Sequence, residues 1–157
     1  MRRAQGKLTI RRAVITDLDL AVPLFDAYRQ FYRKPADAVL ARRFLLERLQ
    51  NRDSVILLAS DSTGSAMGFT QLYPSFSSVS AARIFIVNDL FVVPEARRSG
   101  LGRQLLSAAK DFGQKEAAVG LTLSTEVTNE AAQGLYESEG WVRQRDFYTY
   151  QLALDHE

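Results

Sequence analysis

Apolar residues recur along this chain in two rhythms. Ala21, Leu24, Phe25, Tyr28, Phe31 and Tyr32 step by three and four, the spacing of one helix face. Leu40, Ala41, Phe44, Leu45 and Leu49 repeat that spacing beyond Pro35, which ends the first segment. Elsewhere the rhythm shortens. Leu8 to Arg12 alternates, Ser54 to Ala59 contains the run Val55-Ile56-Leu57-Leu58, and Ala66 to Tyr73 and Arg83 to Val93 are further β runs. Asp61-Ser62-Thr63-Gly64 supplies the turn that makes the second and third of these runs a hairpin. Leu101, Leu105, Ala108 and Phe112 mark a third helix face, and Val119 to Ser124 reads as a strand. Asn129 to Glu139 is a short helix closed by Gly140, and the aromatic-rich Trp141 to Leu152 reads as a last strand.

The punctuation adds detail. Thr16 is placed to cap the first helix, with Asp19 three residues on. Pro23 has no N–H to offer residue 19, so a kink or restart is expected there. Asp37 caps the second helix. The order β-α-α-β-β-β-α-β-α-β describes an α/β protein: a mixed, twisted sheet with helices on both faces. The 157 residues carry no repeat or linker, so a single domain over 1–157 is expected.

Composition narrows the chemistry. No stretch approaches the roughly 18 apolar residues of a membrane helix. The basic stretch from Met1 to Lys7 is followed by no apolar signal segment, so a cytoplasmic location is expected. There is no cysteine, and the one histidine is His156, next to the end. Disulfides, thiolate nucleophiles and cysteine metal sites are excluded, a multi-histidine metal site is impossible, and no metal is expected. A Ser-His-Asp triad is disfavoured. If the protein is an enzyme, its acids and bases are expected among Tyr, Asp, Glu, Lys or the substrate. The net charge of +2 does not point to nucleic acid as the partner.

The segment from Asp89 to Leu106 runs strand, proline stop, basic glycine turn, helix. A helix opening leaves backbone N–H groups unpaired at the positive end of the dipole. Gly100 and Gly102 allow close approach of an anion, and Arg97, Arg98 and Arg103 add positive charge. That is a construction for a pyrophosphate. The Gly-x-x-x-x-Gly-Lys-Ser/Thr of a P-loop is absent, and Leu105 stands where the dinucleotide fingerprint has glycine or alanine. Arg97-Arg98-Ser99-Gly100-Leu101-Gly102, preceded by Leu90-Phe91-Val92-Val93-Pro94, resembles motif A of the GNAT (GCN5-related N-acetyltransferase) superfamily, Arg/Gln-x-x-Gly-x-Gly/Ala. The run from Asn129 to Trp141 resembles its motif B, Asn-x-x-Ala-x-x-Leu/Phe-Tyr-x-x-x-Gly-Phe/Trp. Short stretches, Asp26 to Tyr32 and Asn88 to Val92, are similar to members near histone and polyamine acetyltransferases.

The resemblance implies a mostly antiparallel sheet of about six to seven strands with a central splay, flanked by about four helices. It implies acetyl-CoA as co-substrate. Backbone amides from Arg98 through Ser99, Gly100, Leu101 and Gly102 to Arg103 would hold its pyrophosphate. Leu90, Phe91 and Val92 would lie beside the pantetheine arm, and the Val92 N–H would polarise the thioester carbonyl. Asn129 would hydrogen-bond the arm, and Tyr136 would protonate the departing thiolate. At about 100° per residue, Asn129, Ala132 and Tyr136 share one helix face, while Ala131 and Leu135 share another that can pack on the sheet. Tyr136 is otherwise a half-buried aromatic whose hydroxyl finds any partner. Gly134, costly within a helix, suggests close packing.

With no cysteine and no usable histidine, direct attack by an amine is the simpler route. Its proton would go to Asp89, next to the presumed thioester site, to Glu126, or to water. Asp89 is otherwise a carboxylate bonded to neighbouring backbone. The acceptor site is expected from the first two helices and the third and fourth strands, with Tyr28, Tyr32, Tyr73 and Phe76 as lining; helical spacing places Tyr28 and Phe31 in the core. The acceptor would be a small-molecule amine, a peptide or a protein lysine, and the sequence leaves room for a homodimer. The competing reading is a non-catalytic module that binds acyl-CoA.

Overall fold

The computed structural model describes residues 7–156, so most of the basic N-terminal stretch lies outside the described residues. Five strands form one sheet in chain order: β1 (Thr9–Arg12), β2 (Val55–Ser60), β3 (Ala66–Ser77), β4 (Ala82–Val92) and β5 (Gly120–Thr122). The first three pairings are antiparallel. The last, β4 with β5, is parallel, and it needs the crossover that helix α3 (Leu101–Lys115) provides. Helices α1 (Leu18–Phe31) and α2 (Ala38–Asn51) connect β1 to β2. The chain divides into two compact units, Met1–Ser124 and Thr125–Glu157, and the second contains helix α4 (Glu130–Ser138). Among the described residues no helix is long and apolar enough to cross a membrane.

The apolar rhythm explains the layers. Leu24 and Phe25 of α1 and Ala41 and Leu45 of α2 are buried with Ile56, Leu58, Phe69 and Phe91 of the sheet. On the opposite face Leu101 and Leu105 of α3 pack with Ala59 and the partly buried Met67, Leu90 and Val92. β2 is therefore covered on both sides, which is why its sequence is a continuous apolar run. The hairpin turn forms as expected: Asp61 Oδ1 accepts from the N–H groups of Thr63 (2.9 Å) and Ser65 (3.0 Å). Asp37 caps α2, its Oδ1 accepting from Leu40 N at 3.0 Å.

Three expectations are corrected. Thr16 does not cap α1. It lies in a 3-10 turn, Ile15–Asp17, and the Asp17 carboxylate takes both a bidentate contact from Arg11 (2.6 and 2.7 Å) and the Val14 N–H (2.8 Å). α1 runs through Pro23 without a restart; Pro23 is exposed and falls in the second turn, where it removes one donor only. Among the described residues the sheet has five strands rather than about six to seven, because Trp141 to Leu152 forms no strand. Phe147 is 82% exposed and Tyr148 92%. Aromatic and β-branched content expresses only a preference for pleated surfaces; a strand also needs a neighbour for its ladder, and among the described residues this segment has none.

Gly68 of β3 sets how closely α3 approaches. A Cβ there would stand 2.8 Å from the Phe91 carbonyl oxygen and 3.4 Å from Leu101 and Leu105. Gly68→Ala is expected to destabilise the protein by about 1–3 kcal/mol, the usual cost of overpacking, read as a lower urea midpoint.

Candidate active site

The register of β3 against β4 slips once. Gln71 faces Asp89, but Leu72 faces Val87, so Asn88 is an extra residue in β4. Such a bulge bends the strand and re-aims its side chains. Asp89 ends only 1% exposed, inside the α1/α2 layer. Gln71 Nε2 donates to its Oδ2 at 2.6 Å and Asn88 Nδ2 to its Oδ1 at 2.8 Å. Its side-chain oxygens are thus held by neutral side-chain amides rather than by neighbouring backbone. Burial pushes its carboxyl up to about 6, against the downward pull of the bonds from Asn88 and Gln71. The Asn88 carbonyl accepts from Tyr28 Oη at 3.2 Å, which ties α1 to the bulge.

Asp89 opens on a cavity of about 320 Å³ walled by Phe25, Tyr28 and Arg29 of α1, Phe44 of α2 and Tyr73 of β3. The Phe25 and Phe44 rings stack at 5.3 Å. Burial first, and the Asp89 charge second, drive the Tyr73 hydroxyl upward, so it is a neutral donor and not a base. The residues named from the sequence divide here. Tyr28 and Tyr73 line the cavity, while Tyr32 and Phe76 do not. Phe76 lies exposed under the Arg83 guanidinium, and Phe31, expected in the core, is half-exposed. Sequence reasoning missed Arg29, Gln71, Phe25 and Phe44 as site residues. The available signal was Gln71, an amide amid apolar residues in a buried strand.

On its other side β4 is open. β5 pairs only with Ile84 to Ile86, so from Val87 onward β4 has no neighbour on that edge among the described residues. Val93 N donates to Met67 O of β3 at 3.0 Å. Strand alternation therefore turns the N–H groups of Leu90 and Val92 toward the open edge, while the Phe91 side chain is buried among α1 and β3 residues. Past Pro94 the chain makes a 3-10 turn and reaches α3 through two left-handed residues, Arg98 (φ 61°) and Gly100 (φ 83°). No side chain caps α3 at Gly100, and a Cβ built there would meet nothing within 4 Å. The α3 opening thus presents amides to open space. Leu101 anchors it by burying its side chain, and the Ser99 hydroxyl closes the turn on the Ala96 carbonyl. Gly102 is half-buried, and Arg98 and Arg103 are exposed around the opening. Arg97 is turned back: its Nε donates to Val92 O at 3.0 Å and its guanidinium lies 5.7 Å from the Phe91 ring centre.

Asn129, Tyr136 and Glu126 belong to the second unit. Asn129 Oδ1 caps α4 by accepting from Ala132 N at 3.1 Å, which leaves Nδ2 to donate elsewhere. Asn129, Ala132 and Tyr136 are all half-buried, in keeping with one face. Tyr136 leans on Trp141, with ring centres 6.3 Å apart, and its carbonyl accepts from Trp141 N at 3.0 Å. The Glu126 carbonyl accepts from Asn129 N at 3.0 Å. Ala131 is exposed, and Gly134 is exposed with open space at its Cβ position.

The site thus combines a bulged strand carrying a buried carboxylate, an open edge on the same strand and an uncapped helix that starts at a glycine. The acetyltransferase (GNAT) family model matches residues 21–141, and the chain belongs to this family of enzymes. It is 50% identical over 147 residues to YhfO of Bacillus subtilis (strain 168), an uncharacterized N-acetyltransferase, with 94% of this chain and 98% of that one covered. The crystal structure of a probable acetyltransferase superposes with a TM-score of 0.89 at 42% identity, over 95% of this chain and 99% of the other. The fold is shared with AAC(6')-Iy, solved in complex with the bisubstrate analog CoA-S-monomethyl-acetylneamine, at a TM-score of 0.77 and 20% identity over 95% and 100% of the two chains.

Proposed function

We propose that this enzyme transfers an acetyl group from acetyl-CoA directly to a primary amine. The observation that carries the reading is the adjacency of Asp89, buried in the aromatic cavity, to the open edge of the same strand, which leads into the uncapped α3 opening. Amides from Arg98 to Arg103 fit a diphosphate: the first turn lacks a side-chain cap, and the space over Gly100 is clear. The exposed N–H groups of Leu90 and Val92 fit an extended arm with its own amides. The CoA-containing analog in the AAC(6')-Iy complex supports the same donor here.

Acetyl-CoA supplies an activated thioester. The amine nitrogen bonds to its carbonyl carbon, and the carbon–sulfur bond breaks. Val92 N–H stabilises the negative charge growing on the carbonyl oxygen. Asp89 accepts the proton lost by the amine, directly or through water; its raised basicity narrows the gap to an alkylamine near pKa 10. Tyr136 returns a proton to the thiolate, and Asn129 Nδ2 holds the arm. Arg97, already bonded to Val92 O, acts by fixing the end of β4.

A panel of amines with saturating acetyl-CoA, monitored for free thiol, tests the function. Thiol release that depends on the amine supports it. Binding of CoA with no release under any amine supports the module that binds without transfer. Tyr136→Phe is expected to lower kcat at least about tenfold, as loss of a positioned acid does, with little change in CoA affinity by calorimetry.

A further inference from the structure

We propose that the acceptor is a small amine that also carries a carboxylate, with its acid group held by Arg29 while its amine meets Asp89. The proposal rests on the acyl-transfer reading above and narrows it to a substrate class. The cavity is walled mainly by aromatic side chains, yet it holds two charged groups of opposite sign, Asp89 and Arg29. Among the described residues neither group takes part in an ion pair. The side-chain partners of Asp89 are the uncharged amides of Gln71 and Asn88. Arg29 takes part in none of the ion pairs among the described residues, and its Nη1 is buried with no hydrogen-bond partner.

A guanidinium that lines a mainly aromatic cavity and takes part in no ion pair among the described residues favours a ligand that brings an anion. Guanidinium is the group best shaped to take a carboxylate through two parallel bonds. Its backbone is firmly placed: the Arg29 carbonyl accepts from Tyr32 N at 3.0 Å and Lys34 N at 3.1 Å, closing the last turn of α1. Size limits the rest of the ligand. About 320 Å³ is the space of about ten water molecules, enough for an amino-acid-sized body with an aliphatic or aromatic stem against Phe25 and Phe44. A diamine or polycation would set a second positive charge against Arg29, and a simple alkylamine would leave Arg29 unpaired.

The test compares matched pairs under saturating acetyl-CoA with thiol readout: phenylalanine with phenethylamine, leucine with isopentylamine, 6-aminohexanoate with hexylamine and with 1,6-diaminohexane. In the wild type at least one acid-bearing amine is expected to exceed its partner without the carboxylate at least tenfold in kcat/KM. Arg29→Gln is expected to collapse that ratio at least tenfold, mainly through KM, Arg29→Lys to keep part of it, and Arg29→Glu to shift preference toward 1,6-diaminohexane. A ratio within one variant is independent of how much of the preparation is folded. Preference for the neutral amine or the diamine in the wild type, or an unchanged ratio in Arg29→Gln, overturns this proposal and leaves acyl transfer standing. Absence of thiol release with every amine overturns both.

Discussion

Asp89→Asn is expected to lower kcat/KM by about 10²–10⁴-fold, the range associated with a positioned base, and to stabilise the fold at neutral pH. Both effects come from one carboxylate that is 1% exposed and bonded to the uncharged amides of Gln71 and Asn88. Its folded value of about 6 lies above the ordinary carboxyl value of 3.8. The folded protein thus holds this proton more tightly than the unfolded chain, and the resulting stability is complete below the ordinary value and is lost as pH rises through about 6. At pH 7 the ionised group is a net cost on the order of 2 kcal/mol, which asparagine removes. Gln71 can accommodate the new NH₂ by turning its amide, because its Oε1 is buried without a partner. Urea melts at pH 5 and pH 8 check the sign: the Asp89 contribution makes the wild type lose stability across that interval relative to the variant. The rate has its own signature. Protonation of the free amine makes kcat/KM fall by one decade per pH unit through neutrality. In the wild type the slope steepens toward two decades below about pH 6, whereas in Asp89→Asn it stays at one.

Gly100→Asp is expected to raise the dissociation constant of CoA on the order of 100-fold while leaving a folded protein. The backbone at φ 83° costs a non-glycine residue about 1–2 kcal/mol. No neighbour lies within 4 Å of the new Cβ, so steric damage is absent. The aspartate also sits at the N-cap position, where its carboxylate can take the α3 amides for itself. That capping offsets the backbone cost and removes the donors a diphosphate needs, in addition to placing like charge against it. Gly100→Ala carries the backbone cost without the charge and is expected to bind CoA more tightly than Gly100→Asp. Calorimetric titration of the two variants separates these contributions.

Much of this was legible before any coordinates, for local reasons. Periodicity placed the faces of α1, α2 and α3, Asp37 announced its cap, and Gly100 and Pro94 marked the strand-to-helix turn, because each signal lies within a few residues of its effect. The cavity was not legible in this way. It exists because a one-residue bulge at Asn88 turns Asp89 inward against Gln71, a long-range pairing with no local signal. Tyr28 is both packed against Phe69 and exposed to the cavity, so a choice between core and site was the wrong question. Arg97 read as a phosphate-binding cation, and the bond from its Nε to Val92 O was not legible in the sequence. The tail from Trp141 to Leu152 has the composition of a strand and no ladder, since pairing depends on a partner that composition does not encode.

The most direct measurement is calorimetric titration of the wild-type protein with coenzyme A, repeated in the presence of inorganic pyrophosphate. Saturable binding at one site per chain, weakened by pyrophosphate and weakened strongly in Gly100→Asp, is the predicted result. No heat with coenzyme A, or binding that neither pyrophosphate nor the substitution disturbs, contradicts a diphosphate grip by the amides that open α3.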